Sequence, residues 1–402
     1  MLDRILDIIW PRSIELWITD QGYYIVSAPT GQLTTIPELA GLRPDRSVDT
    51  LWTEIREQSR LIYPSNMDAT TAVWIDDAQR MWRATYMHAL HTSIVLRRVG
   101  FPFTLDDYPE PLTRMLPSIL ENGTGLILFA GPVGGGKSAL MSAFLRELMQ
   151  YPIGISLYED NLEMDLPEGA GVLFHRIRGV HYDDLATALD ADRRVMIRVV
   201  AVQEITEPML PLLLQQVRMG RLVLSTIHAV SLRELLFRLS VAVGNPVLLS
   251  DTLQALIMIR LYTHPTDGHI VPVPSVFRPL GSARAYLEQG DLDGAIQAHE
   301  NDREGLENLP EPTVITYLEQ TGRLPPQNTF ATGRLYIQES AMRRRRVIAA
   351  RLGTRFILKV HVTGSDIDIL HIRPFRDAQA IRQVEQEARH WPPGIYEVEL
   401  TE

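Results

Sequence analysis

The 402-residue chain contains no cysteine. That excludes disulfides, thiolate catalysis and cysteine-ligated zinc, and by itself it fixes no compartment. Lysine is nearly missing too. Of 39 basic residues only Lys137 and Lys359 are lysines, and the rest are arginines. No apolar run approaches the ~18 residues of a membrane-spanning helix. "GLILFA" and "RLVLSTI" have the length of buried strands. The N-terminus, "MLDRILDIIWPRSIELW", carries Asp3 and Asp7 and meets Pro11, unlike the basic start and apolar run of a signal peptide. A net charge of -10 argues against a generally cationic surface and against nucleic acid as the primary partner. These absences point to a soluble, cytoplasmic protein that reaches a membrane only through partners.

What is present has the make-up of a globular protein. Hydrophobic residues are 45% and charged residues 22%, enough for a sizeable core split over two or three domains. Residues 1–100 read as α+β. "SIELWITDQGYYIVSAPTGQLTTI" gives two or three strands, and "VDTLWTEIREQSRLIY" a helix with Asp49 as its N-cap. "TTAVWIDDAQRMWRATYMHALHTSIVLRRV" reads as a meander turning at "DDAQ". The acidic, proline-rich "FPFTLDDYPEP" at 101–111 is the expected linker.

From residue 112 to 332 helices alternate with short apolar strands, which indicates a largely parallel sheet covered on both faces. Expected helices include 112–122 and 137–149, and "EPMLPLLLQQVRM" despite Pro211. "IVPVPSVFRPL" is expected to be a strand region broken by its prolines, and a helical stretch runs from Ala283 to Leu324. Residues 333–402 form a small α/β extension: a helix over 335–352 ending at Gly353, then strands, the helix "AQAIRQVEQEARHW" and a last strand. The run Arg343-Arg344-Arg345-Arg346 falls on that first helix. It reads as a solvated surface, or as a contact for an acidic partner, anionic lipid or nucleic acid.

The strongest chemical signal is "GPVGGGKS", which fits G-x-x-x-x-G-K-[ST] between a buried strand and a helix. Gly131, Gly134, Gly135 and Gly136 let successive N–H groups face phosphate oxygens, and Ala139 follows in the helix. Lys137 supplies a compact charge on a flexible stem, which a planar guanidinium does not replace. Ser138 offers a hydroxyl to Mg²⁺. In a chain that uses arginine nearly everywhere, the retained lysine marks this position. Acids end the strands that follow, as nucleotide chemistry at the carboxyl ends of strands requires. Glu159 and Asp160 close "ISLYED", Glu204 closes "VVAVQE", and Ser225, Thr226 and His228 close "RLVLSTIH". Carboxylates placed so can hold metal-bound water or orient the attacking one, which makes Ser138, Asp160 and Glu204 the candidate metal set.

In this order, "GLILFAGPVGGGKSALMSAFLREL", "ISLYEDNLE" and "VVAVQEITEPMLPLLLQQVRMGRLVLSTIHA" resemble the PilT/GspE-type secretion ATPase superfamily, which serves type IV pili, type II and type IV secretion and conjugation and has DotB-like members. The resemblance covers roughly residues 1–330. It implies a RecA-like P-loop ATPase core with an N-terminal PAS-like α+β domain. It also implies ATP and Mg²⁺, a homohexamer, and a membrane-embedded platform or coupling protein as partner at the inner membrane. By motif position Lys137 and Ser138 take the Walker A roles, Glu159 and Asp160 the Asp box, Glu204 the catalytic glutamate and His228 the second His-box histidine. Arg83 and Arg97, with Arg98 as an equal match to the latter, fall near arginines that reach the nucleotide from the N-terminal domain. The pattern departs at Gln203 (glycine in the family), at Thr206-Glu207 (Arg-Asp), at Arg221 (histidine) and around Arg198 (aspartate). The reading that follows is a hexameric ATPase coupling hydrolysis to pilus dynamics, secretion or conjugative transfer. Two alternatives stay open: a nucleotide-binding but catalytically weak ring subunit beside an active paralogue, and an unrelated P-loop kinase.

Overall fold

The structure is a computed structural model. It describes the chain from Leu2 to Leu400 apart from residues 10–14, 28–31, 35–37, 40, 64–68, 88–91, 121–122, 264–269, 303–307, 325–331, 337–347, 353–354, 360–369 and 373–394. Two compact units divide it, Met1–Val314 and Ile315–Glu402.

The first unit opens with helix α1 (Leu2–Ile9), strands β1 (Glu15–Thr19), β2 (Gly22–Ser27) and β3 (Gln32–Thr34), and helix α2 (Val48–Gln58). Strands β4 (Leu61–Ile62), β5 (Ala69–Ile75), β6 (Met81–Met87) and β7 (Ser93–Arg98) follow. They form one antiparallel sheet, β3-β2-β1-β7-β6-β5-β4. Helix α2 buries Val48, Leu51, Trp52 and Ile55, one stripe at helical spacing, and Trp52 stacks on Tyr86 at 5.3 Å. Its N-cap is Ser47, not the expected Asp49: Ser47 accepts from the Thr50 N–H, while Asp49 sits in the first turn and accepts from the Tyr86 hydroxyl. The β5–β6 turn is tied by buried Asp76, which accepts from the Arg80 N–H (2.8 Å), Arg80 Nε (2.6 Å) and Trp82 Nε1 (3.0 Å).

After β7 the segment expected as linker makes a 3-10 turn at Leu105–Asp107 and runs into α3 (Glu110–Leu120). The helix starts two residues before the expected 112, because Pro111 in its first turn has no N–H that the helix needs. Next come β8 (Gly125–Gly131), α4 (Lys137–Leu148), β9 (Gly154–Glu159), β10 (Val172–Ile177), α5 (Leu185–Ala191) and β11 (Ile197–Val202). These are followed by α6 (Leu210–Arg218), β12 (Leu222–His228), α7 (Leu232–Val243), α8 (Pro246–Thr252), β13 (Leu253–Thr263) and β14 (Ile270–Phe277). Their sheet runs β10-β9-β11-β12-β8-β13-β14, parallel except for the β13–β14 pair.

Strand β10 is missing from the sequence reading. Pro211 lies in the first turn of α6, after a 3-10 turn at Glu207–Met209, which is why it does not break the helix. Strand β14 is continuous, not broken. It pairs with β13 at the sheet edge, where Pro272 and Pro274 cost no ladder bond. The expected helical stretch after it is three helices, α9 (Gly281–Glu288), α10 (Leu292–Asn301) and α11 (Glu311–Gln320).

In the second unit β15 (Thr332–Tyr336), β16 (Ile348–Leu352), β17 (Arg355–Lys359), β18 (Leu370–Ile372) and β19 (Ile395–Leu400) are described. The expected helix over 335–352 is therefore corrected at both ends. Residues 332–336 pair with β19 and residues 348–352 with β17, and ladder partners override helix propensity. Arg343–Arg346 and the helix expected at 378–391 lie outside the described residues. Among the described residues no helix is long and apolar enough to cross a membrane.

Every residue of β8 is buried. Below it Phe144 of α4 meets Phe129 edge-on at 4.9 Å, both without exposed surface. Phe144→Ala is expected to cost about 3–5 kcal/mol, read as a lower urea midpoint with unchanged slope. A cost under about 1 kcal/mol would contradict this packing.

Candidate functional site

Register alone gathers the predicted residues. His228 pairs with Gly131, Val202 with both Ser225 and Tyr158, and Glu159 ends β9 beside them. Four adjacent parallel strands thus end together, and the loops that leave them share one edge of the sheet.

The glycine loop leaves β8. A Cβ at Gly131 would lie 2.5 Å from the Ile259 carbonyl oxygen, so no side chain fits there. Gly136 caps α4 at φ 89°, which glycine adopts without strain. The Lys137 side chain folds back over the loop and is buried. Its ammonium donates to the Pro132 carbonyl at 2.9 Å and to His228 Nδ1 at 3.0 Å. An ammonium only donates, so Nδ1 accepts and the ring proton sits on Nε2. Nε2 in turn lies 2.8 Å from Glu204 Oε1. Carboxylate, imidazole and ammonium therefore form one line of hydrogen bonds. Burial lowers the Lys137 pKa from its ordinary 10.5, while the carboxylates of Glu204 and then Glu163 oppose that shift.

Glu204 holds an uncommon backbone conformation, φ +27°. Its N–H donates to Thr226 Oγ1 (2.9 Å), and the N–H of Ile205 to the Thr226 carbonyl (2.8 Å). Thr226, read from sequence as part of the β12 cluster, thus shapes the turn of the neighbouring strand. Ser225 donates to the Val202 carbonyl at 2.7 Å and belongs to the sheet.

Glu159 is placed differently. It is fully buried, accepts from the N–H groups of Glu163 and Met164 (3.2 Å each) and meets His175 Nε2 at 2.5 Å. Burial raises its pKa against the pull of His175. Its carboxylate organises the loop after β9. Asp160 is exposed and faces Arg178 at 3.6 Å.

Arg83 and Arg97 sit opposite one another on β6 and β7. Both reach Glu163 Oε1, at 3.2 and 3.3 Å, and Arg97 also bonds Glu15. Arg98, one residue on, is opposite Trp82, and burial lowers its pKa. Glu163 was missed in the sequence, although the spacing Glu159-x-x-x-Glu163 in "EDNLE" offered a signal. Arg238 was missed as well. From α7 it bonds Glu207, Glu234 (3.0 Å) and the His228 carbonyl (2.6 Å).

The departures from the family pattern are absorbed locally. Glu207 supplies the carboxylate for Arg238. Arg221 is buried and donates to the Asp192 carbonyl (2.6 Å) and Gln216 (2.5 Å). Arg198 reaches the Gly220 carbonyl at 3.5 Å.

The site suits a nucleotide triphosphate: glycines too crowded or too twisted for other residues, an ammonium folded over them, and a carboxylate two hydrogen bonds away. Among the described residues no group of three or more His, Asp or Glu could hold a metal ion by itself. Ser138 with Glu204 or Asp160 would hold Mg²⁺ only together with phosphate oxygens, as that ion commonly binds.

A glycine loop between strand and helix on a parallel sheet, with acids at the neighbouring strand ends, defines a RecA-like P-loop fold. A family model described as type II/IV secretion system protein matches residues 71–345, and the chain belongs to that family. The DotB ATPase of Legionella pneumophila is similar over 80% of this chain and 92% of its own, at 17% identity and a TM-score of 0.59. The pilus retraction motor PilT with bound ADP is similar over 79% of this chain and 96% of its own, at 17% identity and 0.59. DotB of Yersinia pseudotuberculosis covers 80% and 89% at 15% identity and 0.60. At these identities the likeness is one of fold. No curated protein sequence matches the chain.

A hydrogen bond from its own backbone N–H, and then one from Arg238, hold the Glu207 pKa below its ordinary 4.5. A depressed carboxylate stabilises the fold above its unfolded pKa, and that contribution is lost as pH falls through the folded value. Arg238→Met is therefore expected to be less stable than wild type at pH 7, with the gap narrowing as pH drops below 4.5 to the part left by the lost bond to the His228 carbonyl. Urea unfolding across that range measures it, and a constant gap would contradict the assignment.

Proposed function

We propose that this chain is an ATP hydrolase that drives a secretion or pilus machine. Gly131, Gly134, Gly135, Gly136 and Ala139 supply the phosphate-facing backbone, and Lys137 the charge. Ser138, with Asp160 or Glu204, would hold Mg²⁺ together with phosphate oxygens, and the ion would offset phosphate charge. Glu204 orients water for in-line attack on the γ-phosphorus. The bond to the β–γ bridging oxygen breaks, and ADP and phosphate leave. His228 links Glu204 to the loop. Arg83 and Arg97 provide positive charge from the N-terminal sheet once released from Glu163, and Glu159 shapes the loop that carries Glu163.

The observation that carries this reading is the line Glu204–His228–Lys137. Phosphates arriving in the loop compete with His228 for the ammonium. Binding is thereby felt at the carboxylate that would act on water. A fixed donor at a site of developing charge is worth several kcal/mol.

The family supports reading the chain as a homohexamer working at the inner membrane through a platform or coupling protein, and the net charge of -10 argues against nucleic acid as primary partner. Residues 101–111 then serve as the hinge between the two sheets of the first unit.

Wild type is expected to hydrolyse ATP as an oligomer. Glu204→Gln should bind ATP with unchanged affinity and lose at least about 100-fold in kcat. Steady-state phosphate release with parallel binding measurements checks both. Wild-type turnover at the level of the variant would sink this reading and leave a nucleotide-binding ring subunit.

A further inference from the structure

The family pattern has glycine where this chain has Gln203. A glycine makes no side-chain contact, but Gln203 does. Its Oε1 accepts from the Asp160 N–H at 3.2 Å and, more weakly, from the Asn161 N–H at 3.5 Å. Its own N–H donates to the Tyr158 carbonyl at 2.7 Å. Gln203 therefore pins the strained turn that carries Glu204 to the loop that leaves β9.

That loop is held at its other end by the N-terminal sheet. The Leu162 N–H donates to the Tyr63 hydroxyl at 2.8 Å, the Glu163 carbonyl accepts from the Gly100 N–H at 2.7 Å, and the Glu163 carboxylate takes Arg83 and Arg97. Two residues, Asn161 and Leu162, separate Asp160, under Gln203, from Glu163, under the arginines. A short loop fixed at both ends passes displacement from one end to the other, because it has little slack to absorb it.

We infer that Gln203 is a positioning residue that couples the N-terminal arginine pair to Glu204. It acts through the 160–163 loop and rests on the reading of Glu204 as the carboxylate that orients water. When Glu163 releases Arg83 and Arg97, the loop shifts and Gln203 carries the shift into the Glu204 turn. A residue holding a reacting group by one bond affects turnover far more than ground-state binding.

Gln203→Met keeps the length and removes the acceptor, while Gln203→Glu keeps an acceptor oxygen. In the full-length protein, Gln203→Met is expected to lower kcat about tenfold or more with ATP affinity within about twofold. Amide exchange over 160–162 and 203–205 should speed up, and Gln203→Glu should restore both. A kcat within about twofold of wild type would overturn the inference, as would parallel losses of affinity, kcat and thermal midpoint in both variants. A second arm needs no turnover and stays decisive if wild type hydrolyses nothing, in which case the ATPase reading fails on its own. Glu163→Gln should speed exchange at Glu204 and Ile205 in the wild-type background and add nothing in Gln203→Met. Equal acceleration in both backgrounds refutes the coupling.

Discussion

One buried cation organises the working edge of this protein. Lys137 loses water when α4 packs under the sheet, and its charge must be met by the groups around it. Two neutral acceptors meet it directly, the Pro132 carbonyl and His228 Nδ1, and two carboxylates meet it at a distance. The arrangement compensates the charge without neutralising it. An anion with several oxygens would be a better partner, which fits the proposed phosphate site.

The same constraint explains the neighbours. His228 is useful to Lys137 only as the neutral ring with its proton on Nε2, and that tautomer needs an acceptor on the far side, which Glu204 provides. Glu204 reaches that place because its turn is bent to φ +27° and held by Thr226 and Gln203. Strain of this kind persists only where its surroundings over-determine it. Arg238 closes the arrangement from behind, on the carbonyl of His228 and on Glu207.

Much of this was legible in the sequence, and the limits have physical causes. The glycine loop, its lysine and the acids at strand ends are local patterns, readable because strand, turn and helix succeed one another within a few residues. The contacts of Glu163 and Gln203 were not legible, although "EDNLE" and the departure at Gln203 mark both positions. Their partners Arg83 and Asp160 lie 80 and 43 positions away, and only the fold brings them together. Glu159 shows the reverse. Its place after a buried strand marks it as a site acid, yet the loop folds back over it and turns it into an anchor. The helix expected over 335–352 misled for another reason: at its two described ends helical spacing is outweighed by ladder partners, at 395–396 for 335–336 and in the next strand, 355–359, for 348–352.

The central claim is that occupancy of the loop is read through His228. Nitrogen-15 NMR of histidine-labelled protein tests it directly, with His228→Gln assigning the signal. The account predicts a neutral ring protonated on Nε2 without nucleotide, and a changed Nδ1 shift when a non-hydrolysable ATP analogue takes Lys137 away. A ring protonated on Nδ1 in the free protein, or no change on saturation, would contradict it.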